Sequence, residues 1–292
     1  MPNNITLSKN YVPMLDEVYK EASVTSVLDS DAGTVRAGAN ANEILVAKLS
    51  MDGLKDYSRN SGYSKGDVKL EWETLKYNYD RGIKFEVDTM DNEETIELSF
   101  GRLGAEFMRT KVAPETDAVT ISALASEDTK AKTETLTTGE QVLESLRAIQ
   151  SEMDEDEVPA ESRHLFITPT LLRLARSVDK HKDKEVLDDF ASVKKTPQSR
   201  MYSAIELLND EADKDNNMKG GYKKATGASD LNFLIVEKSA VIKDGKHIAN
   251  NIIRPEDNQT SDAYMQKYRK YGIVDVYENK TAGIRCSHKG VS

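Results

Sequence analysis

The feature that most constrains this chain is a long run in which apolar and polar residues alternate. From Val68 to Trp72 every second residue is apolar, and the alternation resumes in a shifted phase from Leu75 to Val87. Successive side chains of a β-strand point to opposite faces of the sheet, so the pattern predicts one extended strand with an apolar face. The change of phase predicts a β-bulge near Thr74.

A predicted strand at 44–49 precedes this run, and the two would form a ribbon around a tip rich in turn formers. At about 3.3 Å per residue, the return strand would be on the order of 60 Å long, which is well beyond an ordinary strand. A two-stranded ribbon is marginally stable alone, so its apolar face needs a cover. A neighbouring subunit and a helix of the same chain are the two candidates for that cover.

The following segment predicts a long helix over about 92–126. Asp91 and Glu94 have the spacing of a capping box, and apolar residues recur in helical phase after them. Pro114 falls inside this helix, where it removes one backbone hydrogen bond. Because the apolar phase resumes after the proline, we expect a helix that is bent but continuous.

The rest of the chain mixes helices and strands, so the expected fold class is α+β. Thr138 and Gln141 repeat the capping-box spacing before another helix. Buried strands are predicted at 164–167 and 231–236, and Thr168 with Pro169 predicts a helix start directly after the first of them. Local patterns predict a helix over 260–270, then a strand over 272–277 and a turn over 280–283.

Composition excludes several classes of protein. The formal net charge of −10 argues against tight, sequence-independent binding of nucleic acid. Cys286 is the one cysteine, so no disulfide can form within the chain. The first residues lack the pattern of a secretory signal, and no apolar run is long enough to cross a bilayer. We therefore expect a protein made in a cytoplasm, without membrane association.

The motifs that carry chemistry are weak. The pattern G-x-S-x-G at 62–66 would expose Ser64 in a hydrolase, but it lacks the flanking strand and helix that such a site needs. Residues 213–217 begin like a calcium loop, with Met218 where the glycine belongs. Cys286 and His288 are two ligands and do not make a zinc site. We expect no catalytic residue, cofactor or metal, and a hydrolase acting through Ser64 is the alternative.

Several short segments, in order along most of the chain, resemble the major capsid proteins of tailed bacteriophages. They are Ser50-Met51-Asp52-Gly53-Leu54 with Asp56-Tyr57-Ser58-Arg59, Tyr79-Asp80-Arg81-Gly82 with Phe85, Val87-Asp88 and Met90-Asp91, Val112 with Pro114-Glu115 and Asp117, Arg200-Met201-Tyr202, Leu231-Asn232-Phe233 with Lys238-Ser239-Ala240-Val241, and Tyr277-Glu278-Asn279-Lys280 with Gly283-Ile284.

The resemblance implies the Hong Kong 97 capsid fold and a division of the chain into the regions of that fold. It implies an N-arm over 1–43, an extended E-loop hairpin over 44–88 and the spine helix of the P-domain over 89–126. An A-domain would cover 127–253, and residues 254–292 would return to the P-domain sheet. E-loops of this family lie across adjacent subunits, which would provide a cover for the ribbon.

The resemblance also implies partners. The chain would assemble with itself into pentamers and hexamers of an icosahedral shell that encloses double-stranded DNA without binding it specifically. A portal is implied as well, and a separate scaffold protein is expected because the arm starts almost at Met1. Encapsulins, which form bacterial protein compartments around cargo enzymes, share the fold and are the alternative.

The tip of the ribbon is the candidate assembly site. It combines cations and aromatics, which suit docking on a neighbouring subunit near the start of its spine helix. The first turn of a helix also attracts acids for its own dipole, so the acidic side of this site is the weaker part of the hypothesis. The candidate residues are Lys55, Tyr57, Arg59, Tyr63 and Lys65 at the tip, and Asp88, Asp91, Glu93 and Glu94 on the neighbour.

Overall fold

A computed structural model shows a mixed α+β architecture with three main sheets and a long helical segment. The structure describes residues 23–30, 35–37, 42–57, 59, 62–90, 104–178, 181–212 and 219–290. The expected N-arm therefore lies largely outside the described residues, as do the calcium-loop pattern at 213–217 and the first turns of the long helix.

The largest sheet has five strands in the order β5-β13-β10-β6-β7. Its central strands β6 and β10 are buried at every position, which confirms the two buried strands that local sequence predicted. β10 pairs antiparallel with both β6 and β13, whereas the outer strands β5 and β7 join in parallel. The strands are β5 (Lys132–Glu134), β6 (Arg163–Ile167), β7 (Ser192–Lys195), β10 (Leu231–Glu237) and β13 (Ile284–Lys289).

Helices cover both faces of this sheet. Helices α2 (Gly139–Glu155), α3 (Pro169–Arg176) and α4 (His181–Asp188) lie on one face and α1 (Ala113–Glu127) lies on the other. The capping box at the start of α2 is confirmed. The Thr138 hydroxyl accepts a hydrogen bond from the backbone N–H of Gln141, and the Gln141 side chain accepts one from the backbone N–H of Thr138. Helix α3 begins at Pro169 with Thr168 as its N-cap, as predicted.

The second sheet has the order β11-β12-β4, formed by β11 (Val241–Ile253), β12 (Ala263–Val276) and β4 (Tyr79–Asp88). The prediction of a helix over 260–270 is wrong, because residues 263–270 belong to β12 and the three residues before them are not helical. This strand pairs along its length with β11 on one side and β4 on the other. Such long-range pairing overrides a local helical pattern. The strand predicted at 272–277 is the end of β12, and a 3₁₀ turn, Glu278–Gly283, follows it.

A hairpin projects from the rest of the molecule, which we call the body. This hairpin, which we call the arm, consists of β2 (Glu43–Met51), β3 (Val68–Lys76) and the tip between them. The short β1 (Val35–Ala37) adds to its β2 edge. The pairing of β2 and β3 runs without a shift from Glu43 opposite Lys76 to Met51 opposite Val68. The predicted bulge near Thr74 is therefore wrong, and the ribbon ends at Lys76.

The change of phase marks a transfer of the chain between two sheets. Tyr77 and Asn78 separate β3 from β4, and β4 pairs with β12 of the same chain. The side chain of Asn78 donates to the carbonyl of Val274 at 2.8 Å and accepts from its N–H at 3.2 Å. One side-chain amide thus substitutes for the backbone contacts of a ladder residue. The second half of the expected ribbon has an internal partner, and only the first half extends outward.

The long helix continues through Pro114. A π-helical turn, Met108–Val112, leads directly into α1, with helical backbone angles at Phe107, Val112 and Ala113. The N–H of Ala113 donates to the carbonyl of Met108, five residues earlier. This wider turn accommodates a proline ring that would otherwise clash with the preceding turn. Continuity of the helix is confirmed over the described part, from residue 104 to 127.

The smallest sheet is a hairpin of β8 (Ile205–Ala212) and β9 (Lys219–Lys224). It joins the β11-β12-β4 sheet through Arg81, whose guanidinium donates to the carbonyls of Leu208 at 2.8 Å and Gly221 at 3.3 Å. The same guanidinium forms an ion pair with Glu115 on α1 at 3.0 Å. Arg81 therefore ties three parts of the molecule together.

Candidate assembly surface

One face of the arm is apolar and exposed. Residues opposite each other in an antiparallel pair share a face, so Met51 and Val68 lie on the same side as Leu70 and Trp72. Their exposed fractions are 64%, 66%, 55% and 42%. The alternation in the sequence therefore produces a continuous exposed apolar surface. Monomeric proteins rarely leave large contiguous apolar patches exposed to water. We call these four residues the apolar arm face.

The opposite face anchors only the base of the arm. Ile44 and Val46 are fully buried in a small core with Ile242 and Ile273 of the body. One step further out, the ammonium of Lys48 forms an ion pair with Glu278 at 2.7 Å. The arm is thus held at its base, while its outer half and tip extend away from this small core.

The structure places the candidate residues of the tip in the loop between β2 and β3. The rings of Tyr57 and Tyr63 meet edge to face, with centroids 4.9 Å apart. The Lys55 ammonium already has partners within the tip: it forms an ion pair with Asp52 at 2.8 Å and donates to the carbonyl of Lys65 at 3.0 Å. Arg59 is exposed and forms no ion pair with any described residue. Of the three tip cations, Lys55 is thus committed to the fold of the tip itself.

The acidic half of the predicted site is described at one position only. Asp88 ends β4, is exposed, and accepts a hydrogen bond from the N–H of Met90 at 2.9 Å. Asp91, Glu93 and Glu94 lie outside the described residues. Within the described part of one subunit, no contact joins the tip cations to Asp88, so the docking hypothesis concerns two subunits and stays a prediction.

The serine of the G-x-S-x-G pattern lies in the exposed tip. Its hydroxyl donates to the carbonyl of Asp56 at 3.3 Å, and Gly62 adopts the left-handed conformation with φ of 75°. The strand β3 follows it, whereas a nucleophile elbow would require a helix there. This local structure is that of a hairpin tip.

Cys286 and His288 both lie on β13 of the five-stranded sheet. Cys286 is buried on β13, and burial raises the pKa of its thiol above the usual range. His288 follows two residues later on the same strand. Across the described ranges, no group of three or more His, Cys, Asp or Glu side chains could hold a metal ion. Within the same ranges, no helix is both long enough and apolar enough to cross a membrane.

A buried carboxylate that the sequence analysis did not single out fixes the start of the described chain. Asp117 on α1 is fully buried and accepts from the hydroxyl of Ser23 at 2.7 Å and that of Thr25 at 2.7 Å. It also accepts from the backbone N–H groups of Val24 and Thr25 at 3.1 Å and pairs with Arg200 at 2.8 Å. The sequence carried one signal of this role. Asp117 is an acidic residue at an apolar position of the predicted helix, one turn before Ile121.

Comparisons with known proteins identify the fold. No family model and no curated protein sequence matches the chain. Solved structures do match it. The capsid of cyanophage P-SCSP1u has 14% identity and a TM-score of 0.55, over 93% of this chain and 89% of that chain. The mature capsid of bacteriophage PhiM1 has 10% identity and a TM-score of 0.58, over 89% and 87%.

A virus-like particle from Pyrococcus furiosus matches as well, with 10% identity and a TM-score of 0.55 over 97% of this chain and 100% of that chain. These similarities extend over most of both chains in each pair. The chain therefore has the α+β fold of tailed-phage capsid proteins, as the resemblance implied.

Proposed function

We propose that this chain is a shell-forming subunit, the major capsid protein of a tailed bacteriophage, which assembles with itself into the icosahedral head. One observation carries the proposal: a fold shared with phage capsids presents an arm with an exposed apolar face. Covering such a face with another surface is favourable, because each Å² of apolar surface removed from water contributes about 25 cal/mol of stabilising free energy. A second copy of the chain is the partner that a closed shell supplies.

We assign the regions of the capsid fold to this chain as follows. Residues 1–43 form the N-arm and 44–88 the E-loop region, of which the hairpin of β2 and β3 is the projecting part. Residues 89–126 form the spine helix, 127–253 the A-domain and 254–292 the return to the P-domain sheet. The exposed tip and the anchored base support the assignment of the arm.

In this proposal the shell encloses DNA without gripping it, consistent with a net charge of −10. A portal and a separate scaffold protein complete the assembly, and the protein is a virion component made in the host cytoplasm. It acts as a structural protein and not as an enzyme, a reading supported by the placement of Ser64 in a hairpin tip.

An encapsulin-type compartment is the second candidate. It is supported by the similarity to the virus-like particle from Pyrococcus furiosus, whose source is not a phage. Particle contents distinguish the two. Particles isolated from the native source would contain DNA and a tail vertex in the first case, and a cargo protein in the second.

The apolar arm face gives the direct test of assembly. We expect the double substitution Leu70→Asp with Trp72→Asp to leave the subunit soluble and folded, because both side chains are exposed in the single chain. Shell formation should be lost, because two carboxylates would have to be buried at the contact. Circular dichroism measures folding, and electron microscopy with light scattering measures assembly.

The matched control is Glu71→Ser, which lies between the two substituted residues and points to the other face of the same strand. It should assemble as the wild type does. Normal shells from the double variant would contradict the role of the apolar arm face.

A further inference from the structure

A groove runs between the second half of α2 and the end of α4, on the helical side of the five-stranded sheet. Its volume is about 450 Å³. The side-chain amide of Gln150 on α2 donates to the carbonyl of Val186 on α4 at 3.3 Å, so a direct hydrogen bond joins its two walls. The charged residues that line the groove are Arg147, Asp154, Arg163, Glu185 and Asp189.

Two of the carboxylates in this groove have no cationic partner in the part of the chain that the structure describes. Asp154 forms an ion pair with the buried Arg163 at 2.7 Å, and Arg147 has an interaction of its own. Glu185 and Asp189 are exposed, and neither forms an ion pair with any described residue. With two arginines against three acids, the groove also has one negative charge in excess. It therefore suits a cationic group from outside the subunit.

Two exposed arginines lie in the last turn of α3. Arg173 and Arg176 are three residues apart, so their side chains lie on the same face of the helix. Their place suits the negative end of the helix dipole, but neither side chain forms an ion pair or hydrogen bond with a described residue. A guanidinium group can bind a carboxylate through two parallel hydrogen bonds. The two arginines of α3 thus match the two free carboxylates of the groove in number and in chemistry.

The arginines and the groove belong to opposite ends of α2. The end of α3 packs on the start of α2 so closely that a Cβ at Gly139 would clash with the carbonyl of Leu174. About 18 Å of helix separates Gly139 from Ser151, which lies in the wall of the groove. The arginines of one subunit are therefore remote from the groove of the same subunit. Two complementary surfaces placed apart on one chain meet in a head-to-tail contact between two copies, which can close into a ring.

We propose that Arg173 and Arg176 of one copy of this chain dock in the groove of a second copy and bind Glu185 and Asp189 there. Repeated around an axis, this contact joins subunits into a ring. The inference deepens the proposed function and rests on it, because the ring is the unit from which the shell would be built. The contact itself is measurable between two subunits, whether or not a shell forms.

The test uses two variants of the full chain. The arginine variant carries Arg173→Glu with Arg176→Glu, and the groove variant carries Glu185→Arg with Asp189→Arg. All four residues are exposed, so circular dichroism should show that both variants fold. Each variant alone should lose self-association, because like charges would face each other at the contact. Native mass spectrometry measures this at a concentration at which the wild type forms oligomers.

A mixture of the two variants should regain association. The reversed arginine positions of one variant meet the reversed groove of the other, and the unchanged halves meet as in the wild type. The two variants should therefore alternate, and the oligomers should contain them in equal numbers. A general loss of stability in either variant would not be repaired by mixing.

The matched control is Lys267→Glu with Lys289→Glu, which changes the net charge by the same amount on two exposed lysines of other strands. It should self-associate as the wild type does. If a reversed variant does not fold, the neutral pair Arg173→Gln with Arg176→Gln replaces the arginine variant and should weaken association.

Self-association of either reversed variant at the wild-type level would overturn the contact, as would a mixture of folded variants that stays monomeric. Normal shells from the arginine variant would remove the contact and leave the proposed function intact. Mixed oligomers of equal composition, together with a wild type that forms rings but never shells, would support the contact and contradict the proposed function. The two failures are therefore distinguishable.

Discussion

Asp117 connects two segments of chain to the long helix through a single carboxylate. Its oxygens accept from Ser23, Val24 and Thr25, and they pair with Arg200, whose side chain is largely buried. Replacing this acid by an amide removes the negative charge that pairs with the largely buried Arg200, and it turns an N–H donor towards other donors. Breaking a buried ion pair in this way costs about 3–5 kcal/mol.

We therefore expect Asp117→Asn to lower the free energy of unfolding by about 3–5 kcal/mol in urea titrations followed by circular dichroism. The control is Asp80→Asn, which removes an exposed ion pair with Arg269 and should leave the urea midpoint unchanged. Equal midpoints for Asp117→Asn and the wild type would show that Asp117 is not a structural anchor.

Arg59, like Lys65, is an exposed tip cation that forms no ion pair with any residue the structure describes. If it docks on carboxylates of a neighbour, Arg59→Glu should impair shell formation and leave the circular dichroism spectrum of the subunit unchanged. One exposed ion pair contributes only about 0–1 kcal/mol, but a shell repeats each contact in every subunit. Arg59→Lys keeps the charge and should assemble, whereas shells of Arg59→Glu at wild-type yield would remove the docking hypothesis.

Among the secondary-structure elements, those whose signal lies within a few residues could be predicted. The capping box at Thr138 and the apolar runs of β6 and β10 are such local signals, and each was found where expected. β12 was mistaken for a helix because its structure depends on two partner strands. The transfer at Asn78 depends on a contact with Val274, 196 residues away, which no local pattern reveals.

The candidate site shows the same division. Alternation along β3 predicted an apolar face, since the periodicity of a strand decides which side chains share a side. It could not reveal that the second half of the ribbon would pair with β12, nor that Asp117 would be anchored by donors more than 90 residues away.

The π-helical turn before Pro114 gives the long helix a defined structural irregularity. Because this turn already accommodates the proline, we expect Pro114→Ala to change the free energy of unfolding by less than about 1 kcal/mol. Removing the proline should straighten the helix and so alter the curvature of the shell. Ser122→Ala, on the same helix beyond the π turn, is the control and should give normal particles.

Particle diameters measured by electron microscopy test the effect of Pro114→Ala. A broader or shifted distribution is the expected result. Diameters equal to those of the wild type, together with an unchanged helix, would show that the proline does not determine curvature.

For the molecule as a whole, the described contacts divide the chain into a body and a projecting arm. Arg81 and Asp117 join the sheets and the long helix of the body, whereas the arm is held by a small apolar core and one ion pair. A body with a projecting apolar arm suits the proposed role of a subunit that contacts its neighbours in a shell.

Electron microscopy of the purified, expressed protein shows directly whether the chain assembles into a shell. The proposed function predicts closed shells in which the apolar face of each arm, including Leu70 and Trp72, is covered by an adjacent subunit. It also predicts that light scattering shows rings or shells as the concentration rises. A compact monomer at high concentration, with the arm still exposed to solvent, would contradict it.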